Sequence, residues 1–254
     1  MKHPLIALVA GLAAAALSVR TLTHAAPAHA APRTPVIVEL FTSEGCSSCP
    51  PADALLSRFE KMTPVPGTQV IALGEHVDYW NRGGWADRFS SSRYSARQSD
   101  YSRAFGLAQV YTPQMVVDGR AQFVGSDEAA ARAAIARAAR QPKADVSVTR
   151  SGGSDTLTVR VGRLPDSVRN DPADVVLAIT EDGLSSSIGG GENAGRTLAH
   201  AAVVRQLTVL GTTSGSAFTA SPPVKLGGSR RHAVVFVQER SSRRIVGAAQ
   251  TDLD

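Results

Sequence analysis

From Val36 to Phe41 every position but Glu39 is apolar and half are β-branched, a short run that predicts a buried strand. A turn over residues 42–45 leads into Cys46-Ser47-Ser48-Cys49-Pro50-Pro51. Ala54, Leu55, Phe59 and Met62 then recur at helical spacing, predicting a helix over 52–62 that Pro64 and Pro66 stop. Residues 70–73 read as a second strand. The stretch 75–88, rich in glycine and aromatics, reads as an irregular loop, and polar 90–105 as a helix ended by Gly106. Met115-Val116-Val117 and residues 121–124 pair as strands across Asp118-Gly119, a strong two-residue hairpin signal. Ser126 or Asp127 caps an alanine-rich helix to about Arg140, with Glu128 in its first turn. The order strand, helix, strand, helix, strand, strand, helix gives an α/β unit, a central mixed sheet flanked by helices.

Past Gln141-Pro142-Lys143 the period changes to alternation. Val146 and Val148, then Leu157, Val159 and Val161, are spaced as in half-buried strands. Residues 175–179, 203–210, 233–237 and 245–248 are further strand candidates, punctuated by Gly and Ser. Residues 144–254 therefore read as a small antiparallel β-sandwich after the α/β unit of 31–143. The triplet Gly189-Gly190-Gly191 lacks the lysine and helix of a phosphate-binding loop and reads as a flexible hairpin.

The amino terminus is a separate segment. Lys2 and His3 precede an apolar run, Leu5 to Val19, and small residues end at Ala28-His29-Ala30. The run is short of the roughly 20 apolar residues a membrane span needs. It reads as a secretory signal of residues 1–30 cut after Ala30, with Ala26 as an alternative site and an uncleaved anchor as the competing reading. No later stretch is long and apolar enough to cross a bilayer, so no membrane span is expected once the signal is removed. The mature chain is expected in the periplasm or outside the cell, where disulfides persist.

Composition changes this picture little. In 254 residues a hydrophobic fraction of 43% supplies cores without disulfide stapling. The formal charge of +5 falls to +3 when Lys2 and Arg20 leave with the signal. Short pairs such as Arg230-Arg231 and Arg243-Arg244 read as solvated basic surface, and no nucleic-acid partner is expected.

Chemistry concentrates on the two cysteines, Cys46 and Cys49. A structural disulfide gains most by closing a long loop, and this pair closes almost none, so reactivity explains it better than stapling. At the junction of a strand and a helix, the helix N-terminus favours thiolate over thiol. Cys46 is expected to be the exposed nucleophile and Cys49, one turn inside, the resolving thiol. Pro50 and Pro51 fit the first turn, where a missing N–H costs least. Thr112-Pro113, just before the hairpin, resembles the cis-proline of thioredoxin-fold proteins, which implies a cis peptide facing the cysteines and binding an extended substrate. Glu44, His76, Asp78 and Trp80 are candidate tuning residues. His76, oriented by Asp78, either moves protons for Cys46 or simply holds the loop by hydrogen bonds. Glu44 either shifts the thiol and shuttles protons or is a surface turn residue. Tyr79, Trp80 and Trp85 line a groove or pack the loop. Glu192, Asn193 and Arg196 are candidate contacts to the redox segment or to a client.

Val38-Glu39-Leu40-Phe41-Thr42-Ser43-Glu44-Gly45-Cys46-Ser47-Ser48-Cys49-Pro50-Pro51-Ala52-Asp53 resembles the signature of a secreted bacterial, thioredoxin-like family of unknown function. His76-Val77-Asp78-Tyr79-Trp80, Gly84-Trp85, Arg97-Gln98, Val110-Tyr111-Thr112-Pro113-Gln114 and Gly191-Glu192-Asn193-Ala194-Gly195-Arg196-Thr197-Leu198 resemble the same family. The resemblance spans nearly the whole mature chain and implies a thioredoxin-like fold; Glu75 stands where an apolar residue is expected.

Three functions fit. The leading one is an exported thiol–disulfide oxidoreductase acting on protein or small thiol and disulfide substrates, with an unknown redox partner and no cofactor. The second is a copper(I)- or zinc-handling protein using Cys46, Cys49 and His76, since soft thiolates suit those ions. The third is a non-catalytic binding module with a locked disulfide.

Overall fold

The computed structural model describes Met1 and residues 33–150, 155–166, 171–224 and 230–253. The signal-segment reading lies outside these residues. No helix among the described residues is long and apolar enough to cross a membrane.

The first strand, β1 (Thr34–Thr42), runs parallel to β2 (Thr68–His76), with α1 (Pro50–Lys61) between them. Both strands are longer than the apolar runs that signal them. Their polar ends, from Thr42 back to Thr34, are buried or half-buried between neighbouring strands. A short 3-10 turn (Tyr79–Arg82) opens the irregular loop and α2 (Ser92–Phe105) follows it, capped by Ser91 and ended by Gly106 in the left-handed region. The hairpin β3 (Gln114–Val117) and β4 (Ala121–Val124) turns on Asp118 and Gly119, both at positive φ, as the Asp-Gly pair predicts. Asp127 caps α3 (Glu128–Ala139) by accepting from the Ala130 N–H.

The β-rich remainder comprises β5 (Val146–Arg150), β6 (Leu157–Val161), β7 (Ala173–Glu181), β8 (Leu184–Ser187), β9 (Thr197–His200), β10 (Val203–Thr213), β11 (Phe218–Ala220), β12 (Arg231–Glu239) and β13 (Ile245–Asp252). Its strands form two facing antiparallel layers, β13-β12-β7-β10 and β11-β6-β5, as expected, and the first layer is continuous with the N-terminal sheet. One sheet of eight strands runs β13-β12-β7-β10-β2-β1-β3-β4, so four C-terminal strands extend the N-terminal sheet across the 143/144 boundary. The join is at β10 and β2, where the N–H of Gly74 donates to the Ala202 carbonyl. A Cβ on Gly74 would stand 3.1 Å from the Ala201 oxygen, so a glycine suits this close approach. Residues 33–253 thus belong to one compact unit. The three-stranded sheet β11-β6-β5 covers the C-terminal half, burying Val148, Leu157, Val159 and Val161 against Val175, Leu177, Val235 and Val237. The alternation in the sequence is that of the two facing sheets; the continuity of one of them with β2 is a long-range pairing that alternation does not encode.

On the N-terminal half, β1 alternates between two cores. Val36, Val38 and Leu40 meet α1 and α3, while Ile37 packs with the residues under α2 and Phe41 meets Tyr101. Glu39 lies on the α2 side, fully buried, and bonds Arg97 Nε at 2.6 Å and the Tyr101 hydroxyl. Glu75 on β2 lies 3.3 Å from the same guanidinium. Burial, assisted by the Glu39 charge, pushes Glu75 well above the carboxylate range despite Arg97. Arg97 and its hydrogen bonds outweigh burial at Glu39 and hold it low. One proton on Glu75 and one charge on Glu39 thus match the single arginine. The polar residue at position 75 is a member of this buried network.

Candidate functional site

The cysteine motif lies between β1 and α1, where the chain turns from the sheet into the helix. Cys46 and Cys49 form a disulfide, and Cys49 is the N-cap of α1. Pro50 and Pro51 occupy the first helical positions, so neither removes an intrahelical bond. Pro50 and Pro51 carry no N–H, and those of Cys49, Ala52 and Asp53 bond to backbone carbonyls, so what the helix offers the sulfurs is the positive end of its dipole.

Cys46 is not exposed. Both cysteines have 0% relative exposure, whereas Ser47 and Ser48 between them face solvent. The loop joining β8 to β9 is hydrogen-bonded to this turn. Asn193, itself fully buried, donates its amide to the carbonyls of Glu44 and Cys46, each at 2.9 Å. Glu192 accepts from the Ser47 N–H at 3.0 Å, and Arg196 holds the Asn193 oxygen at 2.7 Å. Glu192 and Asn193 thus contact the cysteine segment directly, and Arg196 braces Asn193. Gly189-Gly190-Gly191 lets this loop press on the one before Trp85. A Cβ at Gly190 would stand 2.5 Å from the Gly84 oxygen, a distance that excludes any side chain without movement.

Beneath the disulfide lies a polar cluster. Glu44, fully buried, accepts from Trp85 Nε1 at 2.7 Å and pairs with His200 Nε2 at 3.1 Å. Burial alone would raise its carboxyl, but the bonds from His200 and Trp85 prevail and lower it. Glu44 is therefore no surface turn residue. His76, also buried, bonds Asp87 Oδ2 through Nδ1 at 2.7 Å, and the same oxygen accepts from the Glu44 N–H at 2.9 Å. The His76 and His200 rings meet edge-on with centroids 4.9 Å apart, and Phe89 packs on both. Burial works against a charged His76, but Asp87, then Asp53 and Glu44, outweigh it and raise its pKa. Asp53 is raised by burial against the opposing charges of both histidines.

Asp87, not Asp78, orients His76. Asp78 instead accepts from the Ser95 hydroxyl and fixes the loop to α2. The reason is register: β2 extends to His76, and the chain then loops through the 3-10 turn to bring Asp87 back to the ring. Trp80 donates through Nε1 to Thr112 Oγ1 at 2.7 Å and backs onto Gly45. It ties the Thr112-Pro113 segment to the turn before Cys46. The Thr112–Pro113 peptide is cis. A Cβ at Gly125 would stand 3.0 Å from Ala52 Cβ and 3.2 Å from Pro113 Cβ, which sets the proline beside the first turn of α1.

His200 and Asp87 escape the sequence reading, whereas Asn193 is among its candidate contacts to the cysteine segment. Asp87 lies within the loop the sequence marks, but His200 comes from β9 and carries no local signal. Cys46, Cys49 and His76 do not form a metal-sized group of donors. Among the described residues, the one such group is Glu60, Asp182 and His232, outside the disulfide motif.

No curated protein matches the chain significantly. The X-ray crystal structure of protein AGR_C_4864 from Agrobacterium tumefaciens superposes with a TM-score of 0.69 at 30% sequence identity, over 85% of this chain and 92% of that one. The family model for a protein of unknown function, DUF1223, matches residues 37–238, from β1 through β12 and thus across the disulfide, the loop bonded to its turn and the histidine pair, and the chain belongs to that family.

Proposed function

We propose that this chain is an exported thiol–disulfide oxidoreductase of thioredoxin-like type whose disulfide rests under a removable cover. The observation that carries the reading is the pairing of the chain's two cysteines as a three-apart disulfide at the N-terminus of α1. A ring this small constrains the unfolded chain little, and the helix end stabilises the thiolate that reduction creates. The order β1-α1-β2-α2-β3-β4-α3 and Pro113 beside α1 support the thioredoxin-like assignment.

The chemistry balances without a cofactor. A client thiolate attacks Cys46 Sγ, the Cys46–Cys49 bond breaks, and Cys49 leaves as a thiolate. A second client thiolate attacks the client sulfur of the mixed disulfide, forming a client disulfide and releasing Cys46 as a thiolate. Two electrons pass from client to chain, and the reverse sequence reduces a client disulfide. Attack requires the 188–196 loop to lift, which breaks the Asn193 and Glu192 bonds. The closed loop keeps the pair from indiscriminate exchange, and client docking on the loop is the event that opens it.

The test is trapping in the exporting cell. A Cys49→Ala chain retains Cys46 without its resolving partner and accumulates mixed disulfides through Cys46. The Cys46→Ala/Cys49→Ala chain accumulates none. Absence of any Cys46 adduct would count against the oxidoreductase reading. It would favour a non-catalytic binding module with a locked disulfide, which the zero exposure of both cysteines supports.

A further inference from the structure

We propose that Glu60, Asp182 and His232 form a binding site for a divalent transition-metal cation of the zinc class, distinct from the cysteine pair. Three elements converge to make it: Glu60 near the end of α1, Asp182 just after β7, and His232 on β12. One donor atom from each lies within 4.8 Å of the others. Asp182 is fixed because its Oδ1 accepts from the Ala202 N–H at 2.5 Å. Its Oδ2 then faces His232 Nε2 at 2.9 Å. The other ring nitrogen, Nδ1, lies 2.8 Å from Asp252 Oδ1 on β13. With Nδ1–H donating to Asp252, a cation that displaces the Nε2 proton meets the Nε2 lone pair on the side of Glu60 and Asp182. A carboxylate behind the imidazole is the usual support of a metal-bound histidine.

The three groups stand close enough for each to offer one donor atom to a single ion. The cluster also opens on a cavity of about 520 Å³, whose wall includes Lys61, Arg230 and buried His200.

The donor set is one imidazole nitrogen and two carboxylate oxygens, with no thiolate. Three protein ligands with the fourth position open suit Zn²⁺, which binds such donors more tightly than manganese or iron. Tetrahedral ligands about 2.1 Å from the ion stand roughly 3.4 Å apart, so the His232–Asp182 pair needs to part by only a few tenths of an ångström. Lys61 and Arg230 on the wall match a water or an anionic oxygen at the open position. His200 links this cavity to Glu44, two residues before Cys46, so the two sites share a wall without sharing a ligand.

The experiment uses untagged, oxidised protein stripped with a chelator and titrated with Zn²⁺, bound metal being measured after equilibrium dialysis. One equivalent is expected to bind. His232→Gln and Glu60→Gln should each weaken it at least tenfold, and Asp252→Asn by roughly tenfold to a hundredfold. The Asp252 side chain is 80% exposed, so that variant tests the site without disturbing a core. Cys46→Ser/Cys49→Ser should bind as the parent does, which separates this site from the cysteine chemistry. Co²⁺ added to the parent should give tetrahedral d–d absorption without a thiolate charge-transfer band. No uptake, undiminished uptake by all three ligand-side variants, or loss of uptake with the cysteines would overturn the assignment.

Discussion

Asn193 clasps Glu44 and Cys46 together: its amide nitrogen donates to both carbonyls, each at 2.9 Å, from a loop almost 150 positions later in the sequence. A buried amide satisfied this way is a switch point, because its removal both unlocks the loop and leaves two carbonyls unpaired. Asn193→Ala is expected to lower stability by about 1–3 kcal/mol. It should also speed reduction of the disulfide by dithiothreitol at least tenfold, read by quenched thiol alkylation. An unchanged rate would show that the loop does not control access.

Glu44 places a buried carboxylate two residues before Cys46. Its carboxyl is held low by His200 and Trp85 against the pull of burial, so it is ionised at neutral pH. A negative charge two residues before Cys46 opposes the thiolate. In reduced Glu44→Gln protein, Cys46 should therefore titrate at lower pH than in the parent, followed by thiolate absorbance. A higher midpoint would reverse the role assigned to Glu44.

His76 gives the site a pH signature. Burial opposes its charge, but Asp87, Asp53 and Glu44 raise its folded pKa above the ordinary 6.5. The folded state then holds the proton more tightly than the unfolded chain. Its stabilising contribution is complete below about pH 6.5 and is lost as pH rises through the raised folded value. Denaturant unfolding from pH 5 to 9 should show the parent's advantage over His76→Gln greatest at the acid end and shrinking toward alkali. A constant difference would mean His76 is neutral throughout.

The buried carboxyl pair predicts opposite effects from similar substitutions. Glu75 is pushed well above the carboxylate range by burial and by Glu39, so Glu75→Gln should fold with near-parental stability. The cost of ionising Glu75 appears only as pH climbs from its unfolded value toward the raised folded one, so the variant should lose less stability over that range. Glu39→Gln instead removes the carboxylate bonded to Arg97 and leaves Glu75, 3.3 Å from the same guanidinium, to supply the counter-charge, and should cost more than Glu75→Gln. Equal effects would disprove this division of charge.

Much of the architecture is legible in local pattern. The apolar run at Val36, the Asp118-Gly119 turn, the Asp127 cap and the alternation after Val146 each set their element. The cysteine spacing and the two prolines likewise mark the start of α1. What escapes is long-range. The joining of β10 to β2 merges two expected domains into one sheet. The β8–β9 loop folds back and bonds to residues 44–47, and no period or motif near Cys46 records that. The partner of His76 is missed for the same reason: Asp78 is nearer in sequence, but the 3-10 turn carries it to α2 and returns Asp87.

The redox equilibrium of the Cys46–Cys49 pair in the folded chain tests the central claim most directly. The oxidised protein is equilibrated in dithiothreitol or glutathione buffers of graded potential, quenched with acid, and alkylated, with near-ultraviolet circular dichroism confirming the native fold. The account predicts a reversible two-electron transition in the folded protein, at a potential above the roughly −300 mV below which structural disulfides lie. A pair that stays oxidised until the chain unfolds would contradict it.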